Sequence, residues 1–231
     1  MINGRYVALI NGIPVNVMPK DVYDPDKDGL VENIDIFDKY REFIPWVSLD
    51  GFSLGGDTGY TISPKGGHVL LQTGATANYG AYLASGEMIL KLLDAGKVII
   101  LDFPLLFLGS ITDQNIWLRL DAYPYVPPYE TSQHIGWKII GADLYASNAN
   151  GTTQTITDTT VDLVGQAQRT RLKIVLNPGT DCKFYVNDVL KVTHTTNLPT
   201  IDAYYLHFHI RTSAAASKQV KVGRVLIEKE Y

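Results

Sequence analysis

The chain has 231 residues, 45% hydrophobic and 19% charged, a balance that excludes a disordered protein and gives enough apolar side chains for one large domain with a short extra segment. Its net charge of −4, with no cluster of lysine or arginine, leaves no electrostatic footprint for nucleic acid. A single cysteine, Cys182, excludes an intrachain disulfide, so the core must hold the fold.

Taken in chain order, the first residues lack the continuous apolar core of a signal peptide, because MINGRY runs on to Asn11, Pro14 and Pro19. Tyr6–Ile10 and Ile13–Val17 read as strands, which either add to a neighbouring subunit or form an edge of the same domain. Next comes DPDKDGLVENID, residues 24–35, which spaces oxygen donors as a calcium loop does. Its ligands are Asp24, Asp26, Asp28, the carbonyl of Leu30, Glu32 and Asp35, with Gly29 at the sharp turn. The last ligand is the shorter Asp35 instead of a bidentate Glu, and prolines break the upstream flank. Both departures predict weak affinity, about 10⁻⁴ to 10⁻³ M. Short helices are expected over Ile34–Phe43 and Glu87–Leu93.

After Trp46 nearly every segment alternates with period two between Gly, Pro, Asn or Asp, as strands of an antiparallel sandwich do. Strands are predicted near Val69–Thr73, Ala81–Ser85, Lys97–Leu101, Ile116–Leu120, Ile135–Ile140 and Asp143–Ser147, and Asn148–Thr155 reads as a polar connection. The apolar run Val98–Gly109 is interrupted by Asp102 and Pro104 and is too short to span a bilayer. Leu172, Ile174 and Leu176 share one face of a strand, Cys182, Phe184 and Val186 share a face of the next, and Asn187-Asp188 supplies a tight hairpin. Leu206, Phe208 and Ile210 alternate with a polar outer face of Tyr205, His207, His209 and Arg211. Val220 and Val222 have the opposite parity to Val225 and Ile227, which predicts a β-bulge at Gly223.

Three further groups bear on function. Tyr123, Tyr125 and Tyr129 lie among Pro124, Pro127 and Pro128, a stiffened aromatic loop suited to a sugar or a protein surface, and Trp137 is the tryptophan to add to them if exposed. His207 and His209 form a His-x-His pair, for which His194 is the available third metal ligand. Asn150-Gly151-Thr152 matches a glycosylation acceptor.

Four stretches together resemble the concanavalin A-like lectin/glucanase superfamily, in the form found on phage and archaeal-virus tail and surface proteins. They are LDGFSLGG with GGHVLLQTGATANYGAYLAS, HIGWKIIGADLYASNANGTTQT, RLKIVLNPGTDCKFYVNDVLKVTHTTNLPT and YYLHFHIRTSAAASKQVKVGRVLIEKEY. The acidic leader is similar to aspartate-rich joints that precede distal β domains in viral appendages. The resemblance implies an all-β, antiparallel jelly-roll sandwich over residues 46–231, with a short N-terminal extension, residues 1–45, for attachment or assembly. Glycoside hydrolases of this fold carry alternating carboxylates on one strand. Here Glu228 and Glu230 fall in a charged tail and Asp158 and Asp162 in a threonine-rich loop. The expectation is therefore a chain that is not an enzyme and has no catalytic residues. Its expected role is structural, on a virion or extracellular surface, as a homo-oligomer or with other virion subunits. Calcium is the expected cofactor and a cell-surface glycan a possible ligand, with a lectin-like module or adhesin as the alternative and a glycoside hydrolase third. Neither nucleic-acid binding nor membrane insertion is expected.

Overall fold

A computed structural model describes residues 6–10, 13–17, 39–44, 48–65, 67–85, 90–91, 99–107, 110–123, 130–163, 169–200 and 203–230. The chain divides into two compact units, Met1–Tyr40 with Tyr231, and Arg41–Glu230. In the first, β1 (Tyr6–Ile10) and β2 (Ile13–Val17) pair with each other, antiparallel, from Tyr6↔Val17 to Ile10↔Ile13.

The second unit is a sandwich of two antiparallel sheets. One runs β13 (Gln154–Asp162), β12 (Asp143–Ala149), β11 (His134–Ile140), β10 (Gln114–Asp121), β17 (Ala203–Thr212), β7 (Gly80–Ser85) and β4 (Phe52–Gly56), and β8 (Leu90–Lys91) also pairs with β17. The other runs β16 (Val189–His194), β15 (Asp181–Val186), β14 (Arg169–Asn177), β9 (Ile99–Phe107), β18 (Gln219–Val222), β6 (His68–Gln72) and β5 (Thr61–Lys65). To this second sheet β19 (Val225–Glu230) adds on β9, and β3 (Lys39–Ile44) on β19.

Alternation explains the core. Because successive side chains in a strand point to opposite faces, Ile116, Leu118 and Leu120 of β10 meet Ile139, Trp137 and Ile135 of β11 on one face. The same face carries Leu206, Phe208 and Ile210 of β17. From the facing sheet come Leu172, Ile174, Leu176, Cys182, Phe184, Val220, Val222, Val225 and Ile227, all buried, as their parity predicts. Trp137 reaches across and meets Phe184 edge to face at 5.1 Å. Cys182 is a buried core side chain, and burial pushes its thiol well above the ordinary value.

Two local features follow the sequence closely. Asn187 and Asp188 sit at φ 49° and 65°, the two positive values that a tight primed hairpin needs, and they join β15 to β16. Between Val222↔Leu105 and Leu226↔Asp102, β9 advances by three residues while the β18–β19 edge advances by four, so one extra residue is inserted around Gly223. Opposite that insertion lie Phe103 and Pro104. A proline has no N–H to give a ladder, and the ladder breaks where Pro104 stands.

Three expectations are corrected. Lys39–Ile44, overlapping the helix expected over Ile34–Phe43, is strand β3, and Leu90–Lys91, inside that expected over Glu87–Leu93, is β8. Backbone pairing with β19 and β17 supplies the hydrogen bonds that so short a helix cannot earn for itself. Gln154–Asp162, read as a polar connection and a threonine-rich loop, is the edge strand β13, whose Thr, Ile and Val residues suit a pleated surface. Among the described residues there is no helix long and apolar enough to cross a membrane.

Replacing Asp188 by valine forces a β-branched residue to positive φ and should destabilise the protein by roughly 1–3 kcal/mol. Asp188→Gly should be nearly neutral, since what it loses is exposed pairing with Arg171 and Lys173. Urea denaturation of both variants reads the difference.

Candidate functional site

The face of the first sheet that looks away from the core is also largely buried, and it is polar. Trp117, Arg119 and Asp121 alternate along β10, with His209, His207 and Tyr205 of β17 directly opposite on one side. On the other side stand Lys138, Gly136 and His134 of β11. Gly136 is required there, because a β-carbon on it would lie 2.2 Å from Cβ of Arg119. Arg119, Asp121 and His207 are at most 1% exposed, so the expected solvent-facing surface around the two histidines is corrected: His207 and His209 are buried.

Residues from the β10–β11 connection tie this layer down. The Arg119 guanidinium contacts the Asp121 carboxylate and donates from Nη2 to Ser132 Oγ at 3.3 Å. Ser132 Oγ donates to Asp121 Oδ1 at 3.0 Å, and His207 Nδ1 lies 3.6 Å from Asp121 Oδ2. Glu130 accepts from Lys138 Nζ at 2.8 Å, Gln154 Nε2 at 2.8 Å and Trp117 Nε1 at 3.3 Å. His134 donates from Nδ1 to the Ser132 carbonyl at 2.7 Å, and its Nε2 is hydrogen-bonded with Ser147 Oγ at 2.7 Å.

Burial by itself would raise the Asp121 carboxyl, but the neighbouring His207 imidazole and the charge of Arg119 outweigh it and hold the group below its ordinary value. Glu130 is held low in the same way, with Lys138 the chief counterweight. Burial pushes His134 down to about 4, aided by the Arg119 charge. It pushes His209 down to about 3, with His207, Arg211 and Arg119 adding to the effect. His194 is pushed to about 4 by burial.

Among the described residues this layer opens to solvent at a cleft of about 350 Å³ beside β4, β7 and β17, lined by Gly55, Gly56, Asp57, Tyr60, Gly80, Tyr82 and His209. Its construction is simple: three rings lie over three glycines. A β-carbon on Gly55 would fall 2.5 Å from the Tyr82 ring, one on Gly56 2.6 Å from that of Tyr60, and one on Gly80 2.7 Å from His209 Nε2. Glycine inside a strand thus lets each ring approach the backbone. Asp57 closes the rim, accepting the Gly80 N–H through Oδ2 at 2.9 Å. His209 stacks at 5.2 Å on Trp117 and at 6.5 Å on His207, which joins the cleft to the buried layer.

Of the binding residues expected from sequence, Trp137 is corrected. It is 1% exposed and belongs to the core, because its parity on β11 sets it beside Leu118 on the inner face. Tyr123 is exposed at 53%, and its backbone N–H donates to Asp121 Oδ1 at 3.2 Å. Tyr125, Tyr129 and the calcium ligands Asp24, Asp26, Asp28, Leu30, Glu32 and Asp35 lie outside the described residues. His194 does not join His207 and His209. It sits on β16 in the other sheet, where its Nδ1 donates to Asn148 Oδ1 at 2.5 Å and its Nε2 accepts from Thr157 at 2.9 Å. No group of three metal-binding side chains occurs among the described residues. Asp57, Tyr60 and Tyr82 were not singled out from sequence, although Gly55, Gly56 and Gly80 inside strands are the signal that marks a close approach.

The buried neutral histidines predict acid sensitivity. Their folded values lie below the unfolded value near 6.5, so the unfolded chain binds protons first. This part of the stability is complete above pH 6.5 and falls as pH drops toward 4, by a few kcal/mol as an order of magnitude. Melting temperatures from pH 7.5 to 4.5 should decline through that window, and a flat profile would contradict the burial of these rings.

No protein-family model matches the chain, and no curated protein matches it in sequence. Solved structures do match in fold. A Bacillus licheniformis β-glucanase aligns with a TM-score of 0.57 at 12% identity, over 81% of this chain and 97% of that one. The carbohydrate recognition domain of Emp47p aligns with a TM-score of 0.54 at 11% identity, over 78% and 89%. A β-1,3-1,4-glucanase (lichenase) derived from a mouse hindgut metagenome aligns with a TM-score of 0.56 at 11% identity, over 83% and 99%. The two glucanases overturn the expectation of a chain that is not an enzyme: the architecture is one that glycoside hydrolases use, and a missing run of alternating carboxylates does not remove a chain from it. Shared by these enzymes and by a lectin domain, the fold of this chain is the concanavalin A-like jelly roll.

Proposed function

We propose that this jelly roll recognises a glycan in the cleft between Tyr60, Tyr82, Asp57 and His209, and does so on the surface of a virus particle or extracellular appendage. The cleft carries the reading. Aromatic faces offer apolar surface to the C–H face of a sugar ring, while Asp57 and His209 supply an acceptor and an imidazole for its hydroxyls. Glycine floors keep the rings in place without filling the space. That lectin domains share the fold supports the reading by analogy.

Attachment is the complementary half of the proposal. Residues 1–45 join the domain to copies of itself or to other virion subunits, and the Asp24–Asp35 loop holds calcium as part of that joint. Its spacing of carboxylates around Gly29 supports this, since such a cluster repels itself until a cation neutralises it.

Tyr82→Ala removes a stacking face, and Gly55→Ala drives a methyl group into the ring above it. On a glycan array each variant should lose the signal that the parent chain shows. Retained binding in both would move the site away from the cleft. For the joint, size-exclusion chromatography with light scattering should give an oligomer in millimolar calcium that dissociates in EDTA, and a monomer in both conditions would sink the assembly reading.

A further inference from the structure

Resting on that reading of the cleft, we propose that it receives the terminal residue of an uncharged glycan, and that acidic sugars and the interior of a polysaccharide chain are excluded. Two independent observations lead there: the charge of the lining and the closure of the sheet beyond it.

The charge is one-sided. Among the lining residues Asp57 is the only carboxylate, and neither lysine nor arginine is present. The remaining polar groups are neutral. His209 is 3% exposed and its Nδ1 finds no partner among the described residues. An unpaired buried acceptor is tolerated better than an unpaired buried N–H, which places the proton on Nε2, the atom facing Gly80 and the cleft. The site therefore offers a carboxylate acceptor at the rim and an imidazole donor at the back. Hydroxyl groups, which donate and accept, satisfy both. A carboxylate or sulfate on the sugar would meet Asp57 with like charge and no lysine or arginine in the lining to offset it, since Arg211, opposite Gly80, turns its Nε to the Asn78 carbonyl at 3.1 Å.

The closure is geometric. A groove that holds the interior of a polymer must stay open at both ends. Here the sheet beyond His209 continues into Trp117, His207, Arg119 and Asp121, all buried, with Ser132 and Glu130 bonded over them. The cleft is thus blind on the side of His209. Its volume of about 350 Å³ sits at the small end of ligand pockets, which run from about 300 to 1,000 Å³.

The test titrates the full chain, in isothermal calorimetry or by NMR shift perturbation, with two sets of probes. The first pairs glucose and galactose with glucuronic and galacturonic acid. Each neutral sugar should bind at least about ten-fold more tightly than its acid, and Asp57→Asn should shrink that ratio. The second compares intact mixed-linkage β-glucan with the same material cut to short oligosaccharides, at equal total sugar. Binding should rise with the number of chain ends. If the acids bind as tightly as their neutral partners in the parent protein, or if intact polymer binds as well per sugar as the fragments, this inference fails while the glycan site stands. Should no probe of either set bind, the glycan reading itself fails.

Discussion

Burial of the Arg119–Asp121 pair on the outer face of a β-sheet is the constraint around which the rest of the domain is arranged. A sheet in a sandwich usually hides one face and wets the other, but here the outer side chains of β10 and of its neighbours at Arg119, Asp121, His134, His207 and His209 are buried as well. Removing an ion pair from water costs more than its attraction returns unless further hydrogen bonds complete it. Ser132 bonds both members of the pair for that purpose, His207 lies 3.6 Å from the carboxylate, and Gly136 makes the room. A second set around Glu130 brings Trp117, Lys138 and Gln154 to one carboxylate, so that β10, β11 and β13 are cross-linked by side chains as well as by ladders. The cleft is where this layer runs out, at the glycines of β4 and β7.

The opposite edge of the sandwich is closed by a different polar group. His194 of one sheet bonds Asn148 and Thr157 of the other, and Asn148 Nδ2 donates to the carbonyls of Thr196 at 3.0 Å and Asn197 at 2.7 Å. Phe184 lies 5.1 Å from the His194 ring on one side and 5.1 Å from Trp137 on the other, so the apolar core passes directly into this hydrogen-bonded seam. Each end of the domain thus has its own polar closure, and the end near Tyr60 and Tyr82 also holds a cleft.

Much of the architecture could be read in the amino acids because period-two alternation is local. The hairpin at Asn187-Asp188, the extra residue near Gly223 and the inward set of β14, β15 and β17 all follow from parity and turn chemistry within a few residues. What parity cannot say is whether the other face is covered. His207 and His209 alternate with apolar residues just as solvent-facing side chains do, and parity does not reveal that Glu130 and Ser132 of the much earlier β10–β11 connection bond over that face. Trp137 fails for the converse reason: a tryptophan in a strand looks available until its register with Leu118 is known. β13 was hidden because threonine serves turns and strands alike, and the cleft because its diagnostic residues are the ones with no side chain at all.

Pro104 has a consequence for how the second sheet zips up. Its missing amide hydrogen can be accommodated only beside the extra residue near Gly223, so β9 and the β18–β19 edge share a notch and a key. Sliding one past the other by a single position would bring the imino acid under an intact stretch of ladder and send Val225 and Ile227 from the interior to the outside. Strand β19 therefore has a single register open to it on β9, and mispairing at that seam is penalised twice.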